Sequence, residues 1–280
     1  MKSIRLALVA VTLALYSHAH AAETAPVNVN QDNVAAFIDE MVKEYAFDRA
    51  HLIETLEKAR IKQSIIKQIS KPAERMLTWG QYRKIFITKE RINVGVTFWK
   101  ENKEMLERIM LETGVSIEIL VGIIGVETYF GRITGKDRVI DALTTLAFEY
   151  PPRSKFFRKE LMQFLILARE EELDPTVPMG SYAGAMGRPQ FMPSSFRAYA
   201  VDSTGDGKRD IWGNWADVSG SIANYFLAHK WRSTEEVAAQ ATLSNSWSGD
   251  VPKPRNTLKV SGTIESLSKK GVLFATDLRI

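Results

Sequence analysis

Residues 116–132 read SIEILVGIIGVETYFGR, and this stretch decides the fold. Its apolar residues recur at spacings of three and four, which is the repeat of one helix face: Ile117, Leu120, Val121 and Ile124. Ser116 is a typical N-cap, so the pattern predicts a helix from Ile117 to Thr128. Glu127 lies three residues after Ile124, and the spacing therefore predicts that its carboxyl points along the buried stripe.

A carboxyl on an apolar helix face is a candidate general acid. Loss of hydration disfavours the ionised form, so we expect the pKa of Glu127 to be raised. A general acid must hold its proton near neutral pH, which a raised pKa allows. Spacing alone leaves an alternative open, in which Glu127 is partly exposed at a helix C-terminus and bonded to a neighbour.

The segments around this helix are also predicted to be helical. A long helix is expected over Lys89 to Thr113, because Thr88 can cap its start and Gly114 fits the position after its end. Further helices are predicted over these ranges: 34–45, 49–58, 155–173, 194–201 and 216–230. Strand patterns are weak, the best being 258–264. The fold class is therefore mainly α, with polar residues concentrated in loops at 175–190 and 202–215.

The N-terminus is predicted to direct export. Lys2 and Arg5 precede an apolar run and an Ala19-His20-Ala21 site, which is the pattern of a secretory signal peptide over residues 1–21. An uncleaved anchor is the alternative, and the run is short for a spanning helix. Residues 22–33 are polar and are predicted to form a flexible leader. We expect a periplasmic protein.

Composition excludes several chemistries. The 280 residues contain no cysteine, which excludes disulfides, thiolate nucleophiles and a lipid anchor on an N-terminal cysteine. Only His51 and His229 lie beyond the signal peptide, and neither has the context of a Ser-His-Asp triad or a zinc site. Without Lys2 and Arg5 the net charge falls from +4 to +2, so nucleic acid is not an expected partner. Carboxylate chemistry stays open.

The motif 125–132 (GVETYFGR) resembles the catalytic-Glu motif of lytic murein transglycosylases. Four further motifs follow in matching order: 141–148 (DALTTLAF), 180–187 (GSYAGAMG), 189–195 (PQFMPSS) and 222–226 (IANYF). Together they resemble the membrane-bound lytic transglycosylase B family, glycoside hydrolase family 103, over about residues 34–260. The resemblance implies a lysozyme-like α domain with a glycan-binding groove at 34–280, its lysozyme-like core at about 89–232 and the remaining segments accessory.

The family's activity is what the resemblance implies for this chain. Members cleave the β-1,4 bond between N-acetylmuramic acid and N-acetylglucosamine of peptidoglycan and leave a 1,6-anhydromuramyl end. By residue matching, Glu127 is the acid and base, and Ser181 hydrogen-bonds its carboxyl. The muramyl C6 hydroxyl serves as nucleophile, so the second carboxylate of a retaining hydrolase is not needed. No cofactor is required.

The resemblance also implies groove residues. Gln190 matches a sugar-binding glutamine, and Tyr82 and Tyr225 match groove aromatics, although their helical spacing leaves core packing as an alternative. Arg153 matches the second arginine of a groove pair whose first position is Pro152 here. The implied partner is the peptidoglycan glycan strand, with proteins of cell-wall synthesis as further possible partners.

The loop 202–210 follows the first half of an EF-hand. Asp202, Thr204, Asp206 and the Lys208 carbonyl stand at ligand positions 1, 3, 5 and 7. Position 12, which should be a bidentate acid, is Gly213. Family members can bind calcium in this loop, so the prediction for this chain is a weak calcium site or none, the alternative being a simple turn.

One departure from the family concerns the C-terminal part. Members continue for several dozen residues beyond the point that matches Ile264, with a Tyr-Asn pair in the groove and a final helix, and residues 271–280 here lack that motif. This departure and Pro152 motivate an alternative: a catalytically impaired peptidoglycan-binding or scaffolding protein. A conventional hydrolase is a third option.

Overall fold

The computed structural model describes residues 24–71, 77–233, 235–247 and 262–275. The described chain is mainly helical, which confirms the predicted fold class. Its helices are α1 Asp32–Tyr45, α2 Arg49–Glu57, α3 Gln63–Ile69, α4 Trp79–Phe86, α5 Lys89–Glu101, α6 Lys103–Thr113, α7 Ile117–Thr128, α8 Val139–Glu149, α9 Ser154–Glu170, α10 Pro193–Tyr199, α11 Trp215–Ala228 and α12 Ile264–Lys269. Its strands are β1 Thr24–Pro26, β2 Arg60–Lys62, β3 Asp137–Arg138, β4 Met179–Gly180, β5 Ala241–Leu243 and β6 Val272–Phe274. They form three antiparallel pairs: β1 with β2, β3 with β4, and β5 with β6.

Helix α8 is the centre of the core. Every residue from Val139 to Phe148 is buried, including Asp141, Thr144 and Thr145, which lie on one face of the helix and are hydrogen-bonded. Helix α9 packs along it and contributes fully buried aromatic rings from Phe157 and Phe164. Burying such rings supplies much of the hydrophobic free energy of a domain.

The N-terminal segments belong to the same hydrophobic core, which corrects one prediction. Residues 22–33 are not a flexible leader throughout, because Thr24–Pro26 pair with Arg60–Lys62 and Val27 is buried. The hydrophobic core includes residues before 89, since the ring of Phe37 on α1 packs edge-on against Phe148 of α8, with centroids 5.7 Å apart. The bounds of the lysozyme-like core, about 89–232, stay a prediction. The strand pairing of Thr24–Pro26 was not predicted, because the residues around it are mostly polar and show no strand pattern.

The long helix predicted over Lys89–Thr113 is two helices, which is a further correction. Asn102 separates α5 from α6 with φ −112° and ψ 20°, and its side-chain amide donates to the Phe98 carbonyl. The predicted ends are confirmed: Thr88 accepts a hydrogen bond from the Arg91 N–H, and Gly114 has φ 69°. A positive φ at this position is the usual reason for glycine after a helix.

The described residues divide into two compact units, one up to Trp231 and one from Arg232 onward. In the described part of the second unit, β5 pairs with β6 and α12 precedes β6. The strand predicted over 258–264 lies mostly outside the described residues, and Ile264 begins a helix instead. The predicted signal peptide, 1–21, also lies outside the described residues.

No single described helix is both long and apolar enough to cross a membrane. The pair α6 and α7 meets the length and composition criteria only when taken together, and it is bent by 117°.

Candidate active site

Glu127 lies in the last turn of α7, beside the buried face and not on it. The buried residues of this helix are Ile117, Leu120, Ile124, Gly125 and Thr128. At 3.6 residues per turn, Thr128 lies about 40° from Ile124 around the helix axis, whereas Glu127 lies about 60° away on the other side. The predicted helix is therefore confirmed, and the prediction that Glu127 points along the buried stripe is wrong, because its side chain is exposed. Ser116 begins the helix with extended backbone but makes no side-chain cap.

The tight turn after α7 requires glycine at Gly125 and Gly131 of the motif 125–132, and at Gly95 on α5. Tyr129, Phe130 and Gly131 all have positive φ, so the chain reverses sharply behind Glu127. The reversal lays the Phe130 ring on α5 and α7. A Cβ at Gly95 or Gly125 would stand 2.8 or 2.7 Å from that ring, closer than packed carbon atoms approach. Glycine at these positions therefore allows the turn that ends α7.

Glu127 lines a cavity of about 280 Å³. The cavity is lined by Ile123, Glu127, Pro189, Gln190, Phe191, Met192, Ser195, Ile222, Tyr225 and Phe226. It therefore brings together three residues predicted from sequence: Glu127, Gln190 and Tyr225. Among its lining residues, Glu127 is the one that carries a carboxyl, and the remainder are mostly apolar.

The cavity controls the proton affinity of Glu127. Desolvation raises the pKa of the Glu127 carboxyl above its ordinary value of 4.5. The side chain reaches solvent, yet the protein surrounds it closely enough to displace part of its hydration, so exposure and desolvation coexist in a concave site. No described residue makes a hydrogen bond or an ion pair with this carboxyl that would oppose the effect. A protonated fraction at higher pH is what a proton donor needs.

The side-chain amide nitrogen of Gln190 is held by backbone carbonyls, while its oxygen has no hydrogen-bond donor among the described residues. It ends a tight hairpin in which the N–H groups of Met186 and Phe191 each donate to the other residue's carbonyl. Its Nε2 donates to the carbonyls of Thr134 and Gly187, at 3.1 and 2.8 Å. Both amide hydrogens are thereby used, and the side-chain oxygen is left as an acceptor for a hydroxyl or an N–H.

Tyr225 is part of an aromatic cluster at the end of α11. The ring of His229 stacks on it with centroids 4.1 Å apart, and the ring of Tyr199 meets it edge-on at 5.1 Å. Nδ1 of His229 lies 2.7 Å from the Tyr225 carbonyl, which can only accept, so Nδ1 carries the hydrogen. His229 is thus a packing partner of Tyr225.

Three predicted site residues do not line the Glu127 cavity. Ser181 Oγ accepts hydrogen bonds from the N–H groups of Ala183 and Ala185, and no hydrogen bond joins it to Glu127. Arg153 lies over the ring of Phe156, 4.4 Å from its centroid. Tyr82 lies on α4, with its ring centroid 5.1 Å from that of Phe86. The roles of these three residues stay predictions.

Sequence reasoning missed part of the cavity wall. The hydroxyl of Ser195 and the apolar side chains of Met192 and Ile222 line it. Ser195 and Met192 belong to the motif 189–195 (PQFMPSS), so the motif already held this information. Which of its side chains face the cavity depends on α10 starting at Pro193 and could not be deduced from spacing.

The loop 202–210 does not present converging calcium ligands. The Asp202 carboxylate accepts hydrogen bonds from the N–H groups of Thr204, Gly205, Asp206 and Gly207, so its oxygens are engaged within the loop. Lys208 N–H donates to the Asp206 carboxylate. The described residues contain no group of three or more His, Cys, Asp or Glu side chains that could hold a metal ion.

Asp217 ties this loop to α11. It is fully buried, and its two carboxylate oxygens accept the N–H groups of Ser203 and Asp210 at 2.8 and 2.9 Å. Its oxygens are therefore occupied by the loop backbone and do not replace the missing acid at position 12. The residues present do not fit a strong calcium site.

A larger cavity, of about 380 Å³, lies between the α1–α2 connection and the end of α9. Asp48, on its wall, accepts a hydrogen bond from the His51 N–H and so caps α2. None of the five sequence motifs contributes to this cavity. The Glu127 cavity is therefore the candidate active site.

Comparison with known proteins identifies the family of this chain. The family model described as "Transglycosylase SLT domain" matches residues 29–277. The membrane-bound lytic murein transglycosylase B of Escherichia coli (strain K12) is 42% identical over 252 residues, which cover 87% of this chain and 68% of that protein.

Solved structures are similar over most of the chain. The catenated lytic transglycosylase SltB1 of Pseudomonas aeruginosa has a TM-score of 0.81 and 46% identity, covering 89% of this chain and 82% of its own. The Escherichia coli lytic transglycosylase Slt35 in complex with bulgecin A has a TM-score of 0.81 and 41% identity, covering 92% and 81%. Slt35 in complex with calcium has a TM-score of 0.78 and 40% identity, covering 92% and 80%. This chain belongs to the transglycosylase SLT family, in the group of membrane-bound lytic murein transglycosylase B.

Proposed function

We propose that this chain is a lytic transglycosylase that cleaves the β-1,4 bond between N-acetylmuramic acid and N-acetylglucosamine in peptidoglycan. The product would carry a 1,6-anhydromuramyl end. The observation that carries the proposal is the cavity at the end of α7, where Glu127 is the one carboxyl among the lining residues. Its relatives' names describe lytic transglycosylases, which supports the reaction class.

The reaction begins with Glu127 protonated. Its carboxyl gives the proton to the glycosidic oxygen as the bond from that oxygen to C1 of N-acetylmuramic acid breaks, so that N-acetylglucosamine leaves with a hydroxyl. The resulting carboxylate then takes the proton of the C6 hydroxyl while O6 forms a bond to C1. The enzyme ends in its starting protonation state and no water is consumed, so one carboxyl suffices for both steps.

The composition of the cavity favours this route over hydrolysis. A retaining hydrolase places a second carboxyl about 5 Å from the first, and an inverting hydrolase places one further away to hold a water. Neither arrangement is present among the lining residues. An internal nucleophile, supplied by the substrate, removes the need for either.

Substrate contacts are proposed for the predicted groove residues. The free amide oxygen of Gln190 would accept a hydrogen bond from a sugar hydroxyl or N-acetyl N–H, and Tyr225 would present an aromatic wall to a sugar ring. Tyr82, Arg153 and Ser181 would act beyond the cavity itself. Ser181 can contact Glu127 only if its hydroxyl hydrogen turns to that carboxyl, since its oxygen already accepts two backbone N–H groups.

Calcium is proposed to be dispensable for this chain. The relative Slt35 has been crystallised in complex with calcium. Here the Asp202 carboxylate is engaged by its own loop and position 12 is Gly213, so binding by Asp202, Thr204, Asp206 and the Lys208 carbonyl would be weak.

We infer that the protein acts in the periplasm, where its substrate lies. The support is the signal-peptide pattern of residues 1–21 and the cell-wall activity named for its relatives. Peptidoglycan glycan strands are the proposed partner, and proteins of cell-wall synthesis are further candidates.

The proposal is tested by digesting purified sacculi with the purified protein and separating the muropeptides. We expect anhydromuropeptides to appear with time. Reducing muramyl ends in their place would identify a hydrolase. Binding to sacculi with no soluble product would support the scaffolding alternative.

A further inference from the structure

Thr128 is a buried hydroxyl directly beside the proposed acid. It is the last residue of α7 and is 0% exposed. Its Oγ1 lies 3.1 Å from the Arg188 carbonyl oxygen and 3.5 Å from that of Ile124, so the single hydroxyl hydrogen is better placed for Arg188. The same oxygen accepts the N–H of Gly131 at 3.1 Å.

These bonds join two parts of the cavity that are distant in sequence. Arg188 belongs to the hairpin between Met186 and Phe191, two residues before Gln190. The hairpin has a second tie to the segment after α7, the bond from Gln190 Nε2 to the Thr134 carbonyl. Thr128 and Gln190 thus tie the hairpin to the end of α7 and to the segment that follows it.

We propose that Thr128 is a positioning residue. Its hydroxyl sets the place of the Gln190 amide relative to the Glu127 carboxyl, so that both can address the same glycosidic bond. This inference rests on the proposed function. Small displacements of reacting groups lower rates steeply, whereas a groove with several other contacts loses little affinity. Loss of the hydroxyl should therefore reduce kcat far more than it changes KM.

Thr145 offers a matched control. It is also 0% exposed, its Oγ1 accepts a backbone N–H from Lys62 at 3.0 Å, and it donates to the Arg60 carbonyl at 3.3 Å. Each threonine therefore accepts one backbone N–H and donates to one carbonyl of a distant segment. Thr145 lies on α8 and does not line the Glu127 cavity. Valine at either position keeps the shape of the side chain and removes the same kind of hydrogen bonds.

The experiment compares wild type, Thr128→Val, Thr145→Val and Thr128→Ser on soluble oligomers of alternating N-acetylglucosamine and N-acetylmuramic acid. Melting curves should fall in both valine variants, because buried backbone groups lose their partners. We expect kcat to fall about tenfold or more in Thr128→Val alone, with little change in KM. Thr128→Ser, which restores the hydroxyl, should recover most of kcat.

Equal kcat losses in the two valine variants would overturn the proposal, since Thr128 would then act through general stability. Failure of Thr128→Ser to recover activity would also overturn it. If Thr128→Val does not fold, Thr128→Cys against Thr128→Ser makes the same comparison, because a thiol is a weaker hydrogen-bonding group of similar shape. A wild type that releases no anhydro product would instead refute the proposed function.

Discussion

Replacing Glu127 with glutamine separates proton transfer from every other property of the site. The amide keeps the size of the side chain and removes its transferable proton. General acid–base catalysis commonly contributes about 10²- to 10⁴-fold to a rate. Here the same carboxyl serves both steps and no other carboxyl lines the cavity, so the loss should reach about 10⁴-fold, or about 5.5 kcal/mol of transition-state stabilisation.

Stability should move in the opposite direction. Desolvation raises the pKa of Glu127 above 4.5 in the folded protein, so the ionised carboxyl is disfavoured by folding. Wild type therefore loses stability as pH rises through the raised folded pKa, whereas Glu127→Gln does not. The variant should melt at a higher temperature than wild type at neutral pH, and the pH-dependent part of this difference should disappear below about pH 3, where the carboxyl is protonated in both the folded and the unfolded wild type.

The assay is the initial rate of anhydromuropeptide release, with sacculus pull-down and melting curves measured in parallel. Glu118→Gln is the matched control, because Glu118 is an exposed carboxyl in the first turn of the same helix. It should leave the rate unchanged. A folded Glu127→Gln variant that binds sacculi and keeps most of its activity would refute the assignment of the acid and base.

Three further outcomes are expected. The kcat of wild type should decline as pH rises through the raised pKa of Glu127, because the first step needs the protonated acid, and a kcat that rises steadily to pH 8 would argue against that role. Ser181→Ala should destabilise the fold by about 1–2 kcal/mol, because two backbone N–H groups lose their acceptor, and it should also lower kcat. An unchanged free energy of unfolding in chemical denaturation would contradict this. Calcium at 1 mM should raise Tm by only about 1 °C in differential scanning calorimetry. In the same assay, Asp217→Asn should destabilise the fold by about 1–3 kcal/mol, because its carboxylate accepts two backbone N–H groups. The control Asp206→Asn, at an exposed position, should leave stability unchanged.

Local patterns predicted much of the fold. Helix α7 and the glycine after α6 followed from apolar spacing and from the backbone freedom that Gly114 supplies. The break at Asn102 did not follow, because an asparagine inside an apolar repeat gives no strong local signal of a helix end. The pairing of Thr24–Pro26 with Arg60–Lys62 is a long-range contact that no local pattern reports.

The sequence predicted several residues of the site, but it did not predict how their side chains are arranged around the cavity. Glu127, Gln190 and Tyr225 meet in one cavity, as the resemblance implied. The raised pKa of Glu127 was anticipated from desolvation, but the cavity that surrounds its carboxyl was not: the walls combine Ile123 of its own helix with Gln190 and Phe191 from a distant segment. Thr128 was not predicted as a site residue, because its proposed role depends on a hydrogen bond to the Arg188 carbonyl, 60 residues away in sequence.

The central claim is that bond cleavage consumes no water, and digestion in water enriched in ¹⁸O tests it most directly. Mass spectrometry of the new muramyl ends should show no ¹⁸O and a mass one water below that of the hydrolysis product. Glu127→Gln should release almost none of either product under the same conditions. New ends that carry one ¹⁸O atom at C1 would show that water is the nucleophile and would contradict the account.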